Sequence, residues 1–186
     1  MRFAYADPPY LGSSRKHYSD HADADVYDTV DGHRTLIDCL VSDFADGWAL
    51  SMAARNLHTL LPLCPAEARV CAWVKPYTTF FRNVNPAWAW EPVVVCGGRP
   101  RGSAKPTVRD WLRASSPAQH GRGFVGRKPV EFCYWLFELL GAEAHDELVD
   151  LFPGSGAVTR AWARWTTELP LPLDDYERPV LDLPPL

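Results

Sequence analysis

This sequence predicts an α/β domain around a mainly parallel sheet, and three observations carry that reading. Short apolar runs of strand character alternate with runs of helical period along the chain. Two of the strand-like runs stop abruptly in turn-forming residues, at Asp7-Pro8-Pro9-Tyr10 and at Pro153-Gly154-Ser155-Gly156. The length of 186 residues and a hydrophobic fraction of 47% suit one domain, residues 1–186, with a sizeable core.

The elements follow in order. Arg2 to Ala6 (RFAYA) is a strand, ended by prolines that cannot extend a ladder. Residues 11–33 are polar, lack a clear period and read as a long loop. Arg34 to Phe44 sets Leu36, Ile37, Leu40, Val41 and Phe44 at helical spacing. Trp48 to Met52 reads as a strand, Ala53 to Leu63 as a helix and Ala68 to Val74 as a strand. Glu91 to Cys96 (EPVVVC) is a further strand, halted at Gly97-Gly98. Residues 99–128 hold too much Pro, Gly and Ser for one regular element. Pro129 then opens an apolar helix that Gly141 closes. Glu147 to Phe152 is strand-like, Ala157 to Trp165 is helical, and Thr166 to Leu169 is a short extended piece. The tail, 170–186, is rich in proline. No repeat or low-complexity tract interrupts this order.

Composition excludes several function classes. No apolar run approaches the length of a membrane span, and no charged segment precedes an apolar one as in a secretory signal. Cys39, Cys64, Cys71, Cys96 and Cys133 are odd in number and widely spaced. They read as reduced core residues of a cytoplasmic protein, without a zinc or redox pair. His17, Asp20 and His21 have a spacing that can hold a metal, but their stretch has no helical pattern and reads as solvated loop. No metal is expected.

The net charge of −4 hides an asymmetry. Between Arg99 and Lys128 there are eight bases against the single acid Asp110, a local balance of +7 against −11 elsewhere. One surface facing a polyanion is the expectation, with Arg99, Arg101, Lys105, Arg109, Arg113, Arg122 and Arg127 as nucleic-acid contacts. Trp111 and Phe124 would add stacking there. The acidic stretch 17–31 would repel phosphates and suits a mobile flap better.

Two motifs carry chemistry. In ELVDLFPGSGAVTRAW, glycines between a strand end and a helix start let a ligand approach the backbone. Asp150 there can accept hydrogen bonds from a cationic or hydroxyl-bearing cofactor. The other motif is ADPPY, again after a strand. Alone, Asp7 could be a turn cap and Tyr10 a core aromatic.

Taken together, ADPPY, Arg127-Lys128-Pro129 and DLFPGSG resemble the S-adenosylmethionine-dependent methyltransferases that modify exocyclic amines of nucleobases. The order is the permuted one, with the catalytic motif before the cofactor motif. The resemblance implies a Rossmann-like fold with helices on both faces of the sheet and a shortened C-terminal half. It implies that Asp7 and the Pro8 carbonyl accept hydrogen bonds from the target amine, with Pro9 stiffening the turn and Tyr10 stacking on the extruded base. It assigns Ala6, Asp7, Lys128, Pro129, Asp150, Leu151, Phe152, Gly154, Ser155 and Gly156 to the cofactor. For the ribose, the best candidate acid is Glu168.

The expected activity is methylation of adenine N6 in DNA, because the family's N4-cytosine enzymes more often carry Ser at the position of Asp7. Cytosine N4 and RNA adenosine remain alternatives, as does a catalytically silent nucleic-acid-binding subunit. A homodimer or a partner subunit is compatible with so short a recognition segment. A restriction–modification or phage setting fits the resemblance.

Overall fold

The computed structural model describes residues 1–12, 25–76, 82–103, 105–116 and 127–167. Its strands are β1 (Arg2–Ala6), β2 (Gly47–Ser51), β3 (Arg69–Val74), β4 (Trp90–Gly97), β5 (Trp111–Arg113) and β6 (Glu147–Asp150). The helices are α1 (Val30–Asp43), α2 (Leu57–Leu60, with a 3₁₀ turn on either side), α3 (Val130–Leu140) and α4 (Ala157–Thr167). The six strands form one sheet in the order β5-β3-β4-β2-β1-β6.

β1 runs parallel to β2 and β6, and β3 runs parallel to β5. β4 lies antiparallel between β2 and β3. The expected mainly parallel sheet is therefore mixed around β4. A parallel return needs a long crossover, usually helical, and the described part of the link between β3 and β4 contains no helix.

Alternation along β1 divides the core. Phe3 and Tyr5 face one side with α3 and α4, whose Phe132, Leu136, Phe137, Val158 and Trp165 are buried there. Ala4 and Ala6 face the other, where α1 and α2 contribute Leu36, Ile37, Leu40 and Leu60. Helices thus cover both faces of the central strands. α4 is clamped to α3 by aromatic pairs, with Phe137 5.1 Å from Trp162 and 5.5 Å from Trp165 between ring centroids.

The structure departs from expectation in both secondary structure and cysteine burial. α1 starts at Val30, not Arg34, because Thr29 Oγ1 accepts the Gly32 N–H at 3.0 Å and caps the first turn. The basic stretch contains a strand, β5, held by pairing to β3. Thr166 and Thr167 close α4 instead of extending. Of the five cysteines, only Cys71 and Cys133 are buried; Cys39, Cys64 and Cys96 are partly exposed, and all are free.

Candidate active site

Asp7 leaves the C-terminal end of β1, with Pro8 and Pro9 buried behind it. Because β6 pairs with β1 in register, and the Leu151 N–H donates to the Tyr5 carbonyl at 2.9 Å, Asp150 emerges at the same sheet edge. The antiparallel β4 begins where its neighbours end, which brings Glu91 to that edge as well. Lys75 follows β3, and Lys128 stands just before α3.

These ends meet in a cluster of two acids and two bases. Lys128 Nζ is 3.0 Å from Asp7 Oδ1 and 3.4 Å from Glu91 Oε2, with only 5% of its side chain exposed. Lys75 pairs with the other oxygen of Glu91. The Tyr10 hydroxyl lies 3.2 Å from Asp7 Oδ1 and 3.1 Å from Glu91 Oε2, so one phenolic proton is shared between two carboxylates. Lys128 also donates to that hydroxyl at 3.4 Å and stands over the rings of Trp73 and Phe132.

The electrostatics follow from burial opposed by pairing. Burial pushes the Asp7 carboxyl up; Lys128 pulls it down and Glu91 pushes it up again, leaving it raised. Burial acting alone would strip the proton from Lys128, but Asp7, Tyr10, Tyr5 and Glu91 around it hold the ammonium firmly protonated. Glu91 is also desolvated, yet Lys128 and Lys75 keep its carboxyl below the usual range. Burial, then Asp7 and Glu91, keep Tyr10 a neutral phenol.

A second half adjoins the first. Burial raises the Asp150 carboxyl, against a hydrogen bond that its Oδ2 accepts from Thr159 Oγ1 at 3.1 Å. Asp150 Oδ1 is buried and has no hydrogen-bond partner among the described residues. Beside it, Gly154 adopts φ +44°, and a Cβ there would meet only the Phe152 carbonyl oxygen, at 3.8 Å. Phe152 is backed by Tyr27, edge to face at 5.0 Å. An unpaired buried acceptor beside an open glycine turn can hold a ligand that carries ammonium or hydroxyl donors.

The sequence-derived sets divide accordingly. Ala6, Asp7, Pro8, Pro9 and Tyr10 gather at one edge with Lys128, Pro129 and the turn from Asp150 to Gly156. The Lys128 side chain, expected on the cofactor side, points to the two carboxylates. Glu91 and Lys75 escaped sequence reasoning, since an acid beginning an apolar strand looks like an ordinary strand end. Glu168, Arg122, Phe124, His17, Asp20 and His21, residues 13–24 of the expected long loop and the tail 170–186 lie outside the described residues. The described ends of that loop are tied, with the Gly12 N–H donating to Asp28 Oδ1 at 2.7 Å.

The described basic residues are not brought together. Arg99 follows β4, whose end pairs with the start of β2, so it lies at the opposite sheet edge from Asp7. There it makes bonds of 2.7 Å to both oxygens of Asp146, and Asp146 also holds the Met1 amino group. Arg101 pairs with Glu138, and Lys105 with Glu143 at 3.3 Å. Arg109 stacks over Trp111 at 5.6 Å. Arg113, in register with the last residue of β3, and exposed Arg127, next to Lys128, belong to the active-site edge. Among the described residues, no cluster of three potential ligands can hold a metal, and no helix is long and apolar enough to cross a membrane.

Solved structures that share the fold include two of M1.HpyAVI. The crystal structure of an M1.HpyAVI–SAM complex aligns with a TM-score of 0.57 and 14% identity, covering 89% of this chain and 78% of that one. The crystal structure of M1.HpyAVI aligns at 0.51 and 13%, covering 88% and 76%. At these identities the likeness is one of fold, and it agrees with the Rossmann-like α/β class read from the sequence. No protein-family model matches the sequence, and no curated protein does.

Proposed function

We propose that this chain transfers a methyl group from S-adenosylmethionine to the N6 amine of adenine in DNA. One observation carries the reading: the Asp7-Pro8 turn and the Asp150–Gly156 turn leave adjacent parallel strands at one sheet edge. A group-transfer site needs an acceptor pocket and a donor pocket that close together.

The donor side fits the cofactor. Asp150 Oδ1 is a buried acceptor without a partner among the described residues, and the space before Gly154 is open. Asp150, Leu151, Phe152, Gly154, Ser155 and Gly156 would hold it, with Ala6 and Pro129 alongside; Glu168 is proposed for its ribose. When bound, S-adenosylmethionine supplies a sulfonium methyl, whose bond to sulfur breaks as a bond to the amine nitrogen forms.

On the acceptor side the residues must orient a poor nucleophile. The Asp7 carboxylate and the Pro8 carbonyl accept the two N–H bonds of the amine and draw its lone pair out of the ring. Lys128, 3.0 Å from Asp7, opposes the burial that raises its carboxyl and so favours the ionised form. The methylated nitrogen then releases one proton to Asp7 or to water. Tyr10 offers its ring to the base, with its hydroxyl anchored on Asp7 and Glu91. Arg113 and Arg127 are the bases we place against phosphates. A reducing, cytoplasmic compartment suits the five free cysteines.

The test is incubation with labelled cofactor and DNA, RNA or short oligonucleotides, followed by mass spectrometry of the nucleosides. N6-methyldeoxyadenosine is the expected product. N4-methylcytosine or N6-methyladenosine would move the substrate within the same chemistry. Absence of cofactor binding by calorimetry would leave a silent nucleic-acid-binding subunit.

A further inference from the structure

One face of the sheet is covered only in part. On the side of α1 and α2, the register aligns Trp111 of β5 with Ala72 of β3 and Pro92 of β4; the next row aligns Arg113, Val74 and Trp90. None of these six belongs to either hydrophobic core; Pro92 is buried, Ala72 and Val74 are half-buried, and Trp90, Trp111 and Arg113 are exposed. Helical cover stops between β4 and β3: Val94 is fully buried, while its partner Val70 is 36% exposed. The opposite side chains of the same strands, Cys71, Trp73 and Leu112, pack into the core beneath α3. The bare area is a property of one face, not of a loose strand.

That face carries exposed indoles. Trp111 is 42% exposed, and Trp90, 36% exposed, stands two strands and two residues away, roughly 12 Å across the sheet. Trp88, 51% exposed, continues the surface toward a groove shared with Arg55, His58 and Leu61. Its charge is that of guanidinium groups. Arg113 belongs to the Trp90 row, Arg109 lies over Trp111, and the nearby acid Asp110 is paired with Arg69 at 3.8 Å. Aromatics spread on an open sheet with arginines beside them stack unpaired bases and track the phosphates. A duplex keeps its bases within its own stack and gains little from indoles. Trp90 precedes Glu91, which bonds Lys128, so the face ends at the same sheet edge as the site, with the Trp90 and Glu91 side chains on opposite sides of the sheet.

We infer that the face formed by Trp90, Trp111 and Arg113 is a binding platform for single-stranded nucleic acid, which feeds the target base to the Asp7 pocket. The inference deepens the proposed function and rests on it for the fate of the bound strand.

The full chain is titrated into fluorescein-labelled oligo-dT of about 15 nucleotides and into a duplex of the same length, with anisotropy as readout. The single strand binds roughly ten-fold tighter than the duplex. Trp111→Ala weakens that binding roughly ten-fold, Trp111→Phe restores most of it, and Arg113→Ala lowers the salt slope by about one. Arg113→Ala carries the test should Trp111→Ala lose its fold by circular dichroism. Equal affinity of Trp111→Ala and wild type, or preference for the duplex, overturns the platform. A dimer in sedimentation that Trp111→Ala dissociates overturns it too, by giving the face to a second copy. Calorimetry with S-adenosylmethionine separates the two readings: lost cofactor binding with retained strand binding fails the proposed function and leaves the platform standing.

Discussion

Lys128 Nζ lies 3.0 Å from Asp7 Oδ1, so a buried ammonium just before α3 holds the carboxylate that ends β1. The pair forms only because both ends open on one sheet edge. Glu91 shares the same cation at 3.4 Å, and the charge state of Asp7 therefore depends on two neighbours of opposite sign.

Lys128→Met removes the group that draws Asp7 down and leaves two carboxylates facing each other. The acid limb of the pH profile of kcat/KM moves to higher pH, and kcat/KM falls roughly 100-fold. An acid limb that stays in place would show that Lys128 does not govern Asp7.

Glu91→Gln acts in the opposite sense. The Glu91 charge raises Asp7, so its removal lets Asp7 ionise at lower pH and moves the acid limb down. The stability that Glu91 contributes is present above its unfolded pKa of about 4.3 and is lost as the pH falls, because its folded value is depressed. Thermal melts of wild type and variant should therefore converge in acid. A gap that widens there contradicts the assignment.

Asp150→Asn tests the donor half. In the proposed function the unpaired Oδ1 accepts from cofactor donors, so affinity for S-adenosylmethionine is expected to drop roughly 10- to 100-fold by calorimetry. The melting temperature holds or rises, since a desolvated carboxylate becomes a neutral amide. Unchanged affinity would remove Asp150 from the cofactor set.

Asp146→Asn separates architecture from nucleic-acid contact. Asp146 anchors Arg99 at the edge opposite the site, and its carboxyl is held below the usual range: burial opposes this, but Arg99 and the Met1 amino group prevail. That stability is present above pH ~3.9 and lost as the pH falls further. The variant melts roughly 5–10 °C lower at neutral pH, while its affinity for oligonucleotides matches wild type. A selective loss of that affinity would return Arg99 to the binding surface.

Much of the fold was legible because it is written locally. RFAYA, with Asp7 and two prolines behind it, is a short strand with a hard stop, and the run from Val130 with Gly141 behind it is an apolar helix with a left-handed cap. Thr29 is the cap signal of α1, and its polar neighbours mask it in the sequence. The strand Trp111–Arg113 was not readable: three residues have no period, and only pairing with β3 makes them a strand.

The same division holds for the site. The sequence by itself determined the two turns, Asp7 to Tyr10 and Asp150 to Gly156, because proline and glycine dictate backbone shape wherever they stand. Only the tertiary structure decided that Glu91 and Lys75 join them, and that Arg99, Arg101 and Lys105 do not. Direction is the physical reason. β4 runs against its neighbours, so its first residues meet the ends of β2 and β3, and the chain leaving it emerges at the far edge. Charge along a sequence has no side; a strand's direction assigns one.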